Sequence, residues 1–427
     1  MKKGVCFIMS AFLCLACMGA AGCSGNGGNN ENNNGGNTED YTPLPEYDLQ
    51  EFVLDKYVSP VWQGTVSYAE AAFVMENEAG EIAPLRLLYP IKNIVSVRSA
   101  DLKTKYTEGV DFEVGEDGTL KILSGGNIPY LRYSDYYHET YTDDGLKTQI
   151  PAAAPTGAYI VAETTKDSPG MSAWCLAVTY THAQETAVAK PADKSATFSR
   201  FAQKLERGEE IKVAYFGDSI TDGWGSTAFA YVDRAPYCPM YADLAMDKLE
   251  QKYGVTITRK NFSVSGNTSQ QSYESPKMDE VCAENSDLVV VAFGMNDGAG
   301  RPVKDFSTTM QQIINKITKS SPDTEIVVVL SMLPNEKVGF SQGSTLRIYH
   351  EDYPEEFAKL EEKWASQGKH VAVANVTEVH KHILQRKKFQ DTTSSNTNHP
   401  NDYMHRVYAQ TLLRTLVGDN VFFSISE

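Results

Sequence analysis

His399 sits in the polar stretch SSNTNHPNDYMHRVYAQ (residues 394–410), followed by a proline and then by an amphipathic helical pattern. A histidine at such a loop-to-helix junction has the placement and titration range of a general base. A base of this kind ordinarily leans on a carboxylate that fixes its ring, yet the residues just before it are Ser, Asn and Thr. Three further segments carry residues that could work with it. YFGDSITDGWG places Ser219 just past Gly217 and Asp218, NFSVSGNTS places Gly266 in a Gly/Asn/Ser turn, and VVVAFGMNDGAG puts Asn296 and Asp297 directly after an apolar run. Ester cleavage needs a nucleophile, a base within hydrogen-bond reach, and donors aimed at the developing oxyanion. Singly, each segment is a weak signal, because Gly-Asp-Ser and Asn-Asp-Gly are ordinary turn sequences and a lone histidine is more often structural than catalytic.

The elements around these segments give them a common address. From about Ser195 on, short runs that are apolar on both faces (IKVAYFG, DLVVVAFG, EIVVVLSML, HVAVANV) alternate with amphipathic helical stretches such as MYADLAMDKLEQKYG, TTMQQIINKITKS and PEEFAKLEEKWASQG. That alternation predicts a parallel sheet covered by helices on both sides, and in such sheets ligands bind at the carboxyl ends of the strands. Ser219, Gly266 and Asn296 all fall at strand ends and His399 falls before the final helix.

Their order and placement together resemble the four sequence blocks of the SGNH (GDSL-type) hydrolases, over roughly residues 195–420; GDSITDG, GMND and HPND lie close to that family's wording. The resemblance implies a flavodoxin-like three-layer α/β fold and a serine esterase that needs no metal or organic cofactor. In that reading Ser219 is the nucleophile and His399 the base. The backbone N–H groups of Ser219 and Gly266, with the Asn296 side-chain amide, form the oxyanion hole. Gly266 is expected there because a close backbone approach tolerates no Cβ.

In that family the histidine block usually carries an aspartate three residues before the histidine, and here that position is Asn396. Three readings follow. Asn396 or a backbone carbonyl accepts the His399 Nδ1–H, giving a Ser–His dyad; Asp391 or a more distant acid substitutes; or the enzyme is impaired. With the other blocks intact the dyad is favoured. Two other local motifs carry less weight. Ser341 in GFSQG matches Gly-x-Ser-x-Gly but does not lie directly between a strand and a helix, and His380 and His382, two apart on a helix-like run, read as a solvated face.

The chain outside this half is different in kind. Residues 45–190 read as a smaller all-β module, a β-sandwich of short alternating strands (GTVSYAEAAFVM, LRLLYP, IVSVRSA, DFEVGEDGTLKIL, GAYIVAET, WCLAVTYTHA) parted by turn sequences, and the hydrolase domain is expected over 195–427. Residues 1–22 have the charged start and short apolar run of a signal peptide. Ala20, Ala21 and Gly22 before Cys23 resemble a bacterial lipoprotein junction, and residues 23–44 are a Gly/Asn-rich tether. The expectation is a protein lipid-anchored through Cys23 at the bacterial cell surface or in the periplasm, touching membrane only through that lipid. A formal net charge of −16 with no basic tract beyond QRKK speaks against a nucleic-acid partner. Cys175, Cys238 and Cys282 remain after the leader and show neither disulfide nor zinc spacing. The expected substrate is an acetylated glycan or another small ester; the alternatives are a lysophospholipase or thioesterase, or a catalytically weak carbohydrate-binding protein using the aromatic stretch IPYLRYSDYYHETY.

Overall fold

The computed structural model describes residues 53–138, 148–162, 170–183, 187–341 and 343–422. The leader, Cys23 and the tether lie outside these residues. Everything described belongs to one compact unit.

The β-rich half holds three small sheets. Strands β1 (Val66–Phe73), β2 (Asn93–Ser99), β3 (Lys105–Tyr106) and β9 (Cys175–Thr181) form an antiparallel sheet in the order β1-β9-β2-β3. Strands β4 (Phe112–Val114) and β5 (Leu120–Ile122) make a hairpin, and β6 (Tyr137–His138), β7 (Thr148–Pro151) and β8 (Tyr159–Ala162) pair as β6-β8-β7. The segment LRLLYP, expected as a strand, is instead an extended loop with only Leu85 bridged to Leu120. Leu85 N–H donates to the Leu120 carbonyl at 2.8 Å, and beyond it side chains take the donors: Glu70 accepts the Leu88 N–H at 2.8 Å and the Tyr180 hydroxyl accepts the Tyr89 N–H at 3.1 Å. Alternating apolar residues could not reveal that substitution.

The second half is built on a five-stranded parallel sheet, β11-β10-β12-β13-β14, from β10 (Ile211–Gly217), β11 (Ile257–Asn261), β12 (Leu288–Ala292), β13 (Glu325–Leu330) and β14 (Val371–Asn375). In chain order this is 2-1-3-4-5, the flavodoxin-like doubly wound arrangement. Its central strands are buried on both faces. Leu288, Val290 and Ala292 enter one core layer and Val289 and Val291 the other, as a period of two requires. Helices Tyr241–Tyr253 and Asp402–Val417 cover the first layer; Pro276–Glu284, Val303–Ser320 and Tyr353–Ser366 cover the second. The first core layer runs on without a break into the β-rich half, where Tyr89, Val178 and Tyr180 belong to the same cluster as Leu244 and Leu412. The sequence change near residues 190–195 marks a switch of secondary structure, and apolar packing continues across it.

Strand β1 carries much of that junction. Arg406, in the last helix, donates to the carbonyls of Tyr57, Tyr68 and Ala69 at 2.9, 2.6 and 3.1 Å. Lys387 donates to Glu70 at 2.6 Å and to the Ala71 carbonyl at 2.8 Å, and Asp391 accepts the Phe73 N–H at 2.7 Å. The Lys387 and Glu70 side chains are 0% and 1% exposed. Although burial disfavours its charge, the Glu70 and Asp391 carboxylates hold the Lys387 ammonium above its ordinary pKa. QRKK is therefore no basic surface tract, since Lys387 is an internal cation. Removing one partner of such a pair strands the other charge. Lys387→Met is expected to lower unfolding free energy by about 3–5 kcal/mol in urea titration, with most of the loss recovered in Lys387→Met/Glu70→Gln; no loss would mean that the pair bears no weight.

Candidate active site

Strand β10 delivers the serine. It ends at Gly217, where a Cβ would lie 2.5 Å from the Ala292 carbonyl oxygen on β12, so only glycine lets the two strand ends come this close. Asp218 then caps the one-turn helix Ser219–Asp222, its carboxylate accepting the Ile220 N–H at 3.1 Å. Burial, opposed by that hydrogen bond, pushes the Asp218 carboxyl up to about 7. Ser219 is thereby fixed as the first residue of a helix, and its N–H makes no hydrogen bond to any described residue.

His399 meets it. The His399 Nε2 lies 2.9 Å from Ser219 Oγ, although the two are 180 residues apart. Burial pushes His399 down to about 4, so the imidazole is neutral at neutral pH and Nε2 is free to accept the serine proton.

The loop of the expected donor Gly266 lies beside the Ser219 turn, with Val264 N–H donating to the Gly217 carbonyl at 3.0 Å and the Ser265 hydroxyl to Asp222 at 2.6 Å. Gly266 has φ +81 and open space where a Cβ would stand. Its left-handed backbone by itself favours glycine. Its N–H makes no hydrogen bond to a described residue. Asn296, just beyond β12, donates one amide hydrogen to the Asn267 carbonyl at 2.9 Å, which fixes the amide against the Gly266 turn and leaves the second hydrogen for a ligand. Asp297 is fully buried, accepts from the Ser269 N–H and hydroxyl at 2.9 and 2.7 Å, and pairs with Arg301. It anchors the Asn296 turn to the helix Ser269–Glu274.

Neither candidate for orienting His399 bonds its ring. Asn396 is wholly buried with φ +58. Its amide donates to Val161 O at 2.7 Å and to the Tyr136 hydroxyl at 3.0 Å, while its oxygen accepts from Asn335 at 3.0 Å. Asp391 is committed to the N–H groups of Phe73 and Lys388 and to Lys387. Among the described residues none accepts the His399 Nδ1–H. The ring is held in other ways. The His399 carbonyl accepts from the Ser394 N–H at 3.0 Å and the Thr393 hydroxyl at 2.8 Å, and Ser395 Oγ accepts the His399 N–H at 3.2 Å. The loop thus closes on itself through its own short polar residues. Trp224 stacks on the imidazole with ring centroids 5.6 Å apart and planes 21° apart.

Trp224 is the site residue that sequence reasoning passed over, although it stands in the same GDSITDGW segment. Its carbonyl accepts from His405 Nε2 at 3.1 Å, and His405 Nδ1 accepts the Tyr241 N–H at 3.2 Å, which fixes the His405 tautomer. Gly225 after it has φ +95, and a Cβ there would meet the Pro400 carbonyl at 1.9 Å. Asp402 completes the joint by accepting the Thr227 N–H at 2.9 Å and its hydroxyl at 2.7 Å. His380 is not on a solvated face: it is fully buried, accepting the Leu333 N–H at 3.1 Å and bonding the Thr392 hydroxyl at 3.0 Å. Ser341 is exposed in a bend, away from any strand-to-helix turn. Among the described residues no group of His, Cys, Asp or Glu side chains could hold a metal ion, and no helix is long and apolar enough to cross a membrane.

The hydrogen bonding of Asn396 makes a directional prediction. Asn396→Ala removes partners from Val161, Tyr136 and Asn335 and is expected to cost about 1–3 kcal/mol of stability, with only a minor fall in kcat/KM on a soluble acetate ester. His399→Ala is expected to cost roughly 10²–10⁴-fold in kcat/KM. Equal losses in the two variants would show that the asparagine side chain serves the chemistry directly.

Residues 215–407 match the sequence profile of the GDSL-like Lipase/Acylhydrolase family. No curated protein matches the sequence. Among solved structures, a two-domain esterase active on acetylated mannans, crystallised with mannopentaose, aligns with TM-score 0.40 and 16% identity over 53% of this chain and 54% of that one. This chain thus spans about half the length of that protein. An acetylxylan esterase from Geobacillus stearothermophilus aligns with TM-score 0.38 and 17% identity over 50% of this chain and 97% of that one. The four sequence blocks and the 2-1-3-4-5 sheet agree with that profile match: residues 215–407, within the α/β half, are similar to a GDSL-like Lipase/Acylhydrolase domain.

Proposed function

We propose that the protein removes O-acetyl groups from an oligo- or polysaccharide, with Ser219 as nucleophile and His399 as base. The observation that carries this reading is the 2.9 Å contact between Ser219 Oγ and His399 Nε2 beside two unengaged backbone N–H groups and the Asn296 amide. In the first step Nε2 takes the Ser219 proton while Oγ bonds to the acetyl carbonyl carbon, and the carbonyl electron pair moves onto oxygen. The N–H groups of Ser219 and Gly266 and the free Asn296 amide hydrogen stabilise that oxyanion; each such donor is worth about 2.7–4 kcal/mol of barrier. Collapse breaks the ester C–O bond, and His399 returns the proton to the departing sugar oxygen. Water then attacks the acetyl-enzyme, its proton passing to Nε2. Acetate leaves and the proton returns to Ser219 Oγ.

A small acyl group is favoured by the company the nucleophile keeps. Ser265, Asn267 and Asn296 are short and polar, and a long acyl chain would need an apolar trough to offset its transfer from water. The lipoprotein-like junction at Cys23 supports a further part of the proposal, a lipid-anchored enzyme at the bacterial surface, where acetylated polymers are met from outside. The test is acetate release from acetylated xylan together with chain-length preference on simple esters. Wild type is expected to release acetate and to prefer acetyl over longer acyl groups, and Ser219→Ala to release none. Absence of Ser219-dependent release from every ester would overturn the catalytic reading; preference for long chains would overturn the acetyl reading alone.

A further inference from the structure

The loop that follows Ser219 carries more than Trp224. Tyr231 stacks on Trp224 almost parallel, with centroids 5.6 Å and planes 8° apart, and Phe229 packs against both rings at 5.4 and 5.3 Å. Trp224 in turn stacks on the catalytic imidazole. Two ring-to-ring steps therefore join His399 to Tyr231, within the span of two sugar residues. Yet Tyr231 is 51% exposed, so an aromatic face is offered to solvent at the end of a stack that begins at the base. The platform is rigid. The N–H groups of Val232 and Asp233 donate to the Phe229 carbonyl at 2.8 Å, and Arg234 N–H donates to the Thr227 carbonyl at 3.0 Å.

Residues Val232, Arg234, Ala235 and Pro236, next along this loop, form one wall of a cleft of about 510 Å³ between the two halves of the protein, with Gly225 also lining it. Neither Ser219 nor His399 lines this cleft. Its opposite wall comes from β-rich segments and brings Asp101, Lys103, Thr104 and Ser172, and Arg234 bonds the Ser172 hydroxyl at 3.3 Å.

We propose that Tyr231 on its Trp224 support, together with the adjoining cleft, forms a subsite for the sugar chain that carries the ester. A pyranose ring presents an apolar C–H face to an aromatic ring and a rim of hydroxyls to polar groups, and the loop and cleft supply both kinds of surface side by side. This inference rests on the glycan reading above and assigns the β-rich half a part in it, as the second wall of the binding surface.

Two measurements test it separately from that reading. The first compares kcat/KM on a partly acetylated xylooligosaccharide with kcat/KM on triacetin, a small ester without an aromatic group. Tyr231→Ala is expected to lower the ratio about two- to tenfold, through KM, and Tyr231→Phe to restore it. The second follows tryptophan fluorescence of the inactive Ser219→Ala protein titrated with unacetylated xylohexaose. Saturable change is expected, weakened in Ser219→Ala/Tyr231→Ala. A wild-type enzyme that deacetylates the oligosaccharide while Tyr231→Ala changes neither ratio nor binding would overturn the subsite and leave the function standing. Tyr231-dependent binding by a protein that releases no acetate would overturn the function and leave the subsite. Neither binding nor release would overturn both.

Discussion

A single buried ammonium group holds the two halves of this protein in register. Lys387 has left water entirely, and an unpaired cation in such a place would cost several kcal/mol. Glu70 from β1 and Asp391 from the loop leading to His399 must therefore stay where they are. Because Asp391 also accepts the Phe73 N–H, the strand and the loop are tied at both ends of the same charge cluster. Arg406, one turn into the last helix, grips the carbonyls of the same strand. The histidine loop thus hangs between two points of attachment to β1. The β-rich half is part of the scaffold that positions His399.

This attachment holds His399 in place with no carboxylate behind it. In a site built on an acid, the acid fixes tautomer and ring orientation together. Here the backbone turn sets where the ring starts, the Trp224 face limits how it rotates, and Ser219 Oγ accounts for Nε2. The position that the family ordinarily gives to the acid is occupied by Asn396, whose left-handed backbone and five-way hydrogen bonding with Tyr136, Val161, Asn335 and Gln390 make it a structural joint. The lack of a carboxylate beside the ring also keeps the imidazole neutral, since no negative charge offsets the cost of protonating it away from water.

What could be read from the sequence was what depends on short-range pattern. Runs such as LVVVA and EIVVVL announce strands buried on both faces, and the four blocks around Ser219, Gly266, Asn296 and His399 announce the strand ends where chemistry is possible. What could not be read depends on partners far apart in the chain. LRLLYP has the composition of a strand, but its Leu88 and Tyr89 N–H groups go to the Glu70 and Tyr180 side chains. His380 and His382 look alike in sequence, and only the fold decides that His380 is sealed between Leu333 and Thr392. QRKK looks like a surface tract until Glu70, more than three hundred residues earlier, is brought against it. Trp224 had a readable signal, its place in GDSITDGW, but its role follows from a stacking contact that no local pattern encodes. Gly266 stood out for the close approach a glycine allows, and its left-handed backbone is a second requirement that local sequence does not reveal.

The central claim is that Ser219 is activated by His399 at this one place in the fold. It is tested most directly by reacting the protein with a fluorophosphonate and mapping the modified peptide by mass spectrometry. The structure predicts modification at Ser219 alone, slowed at least about a hundredfold in His399→Ala and retained in Asn396→Ala. Label on Ser341 or another serine, or undiminished labelling of Ser219 without His399, would contradict it.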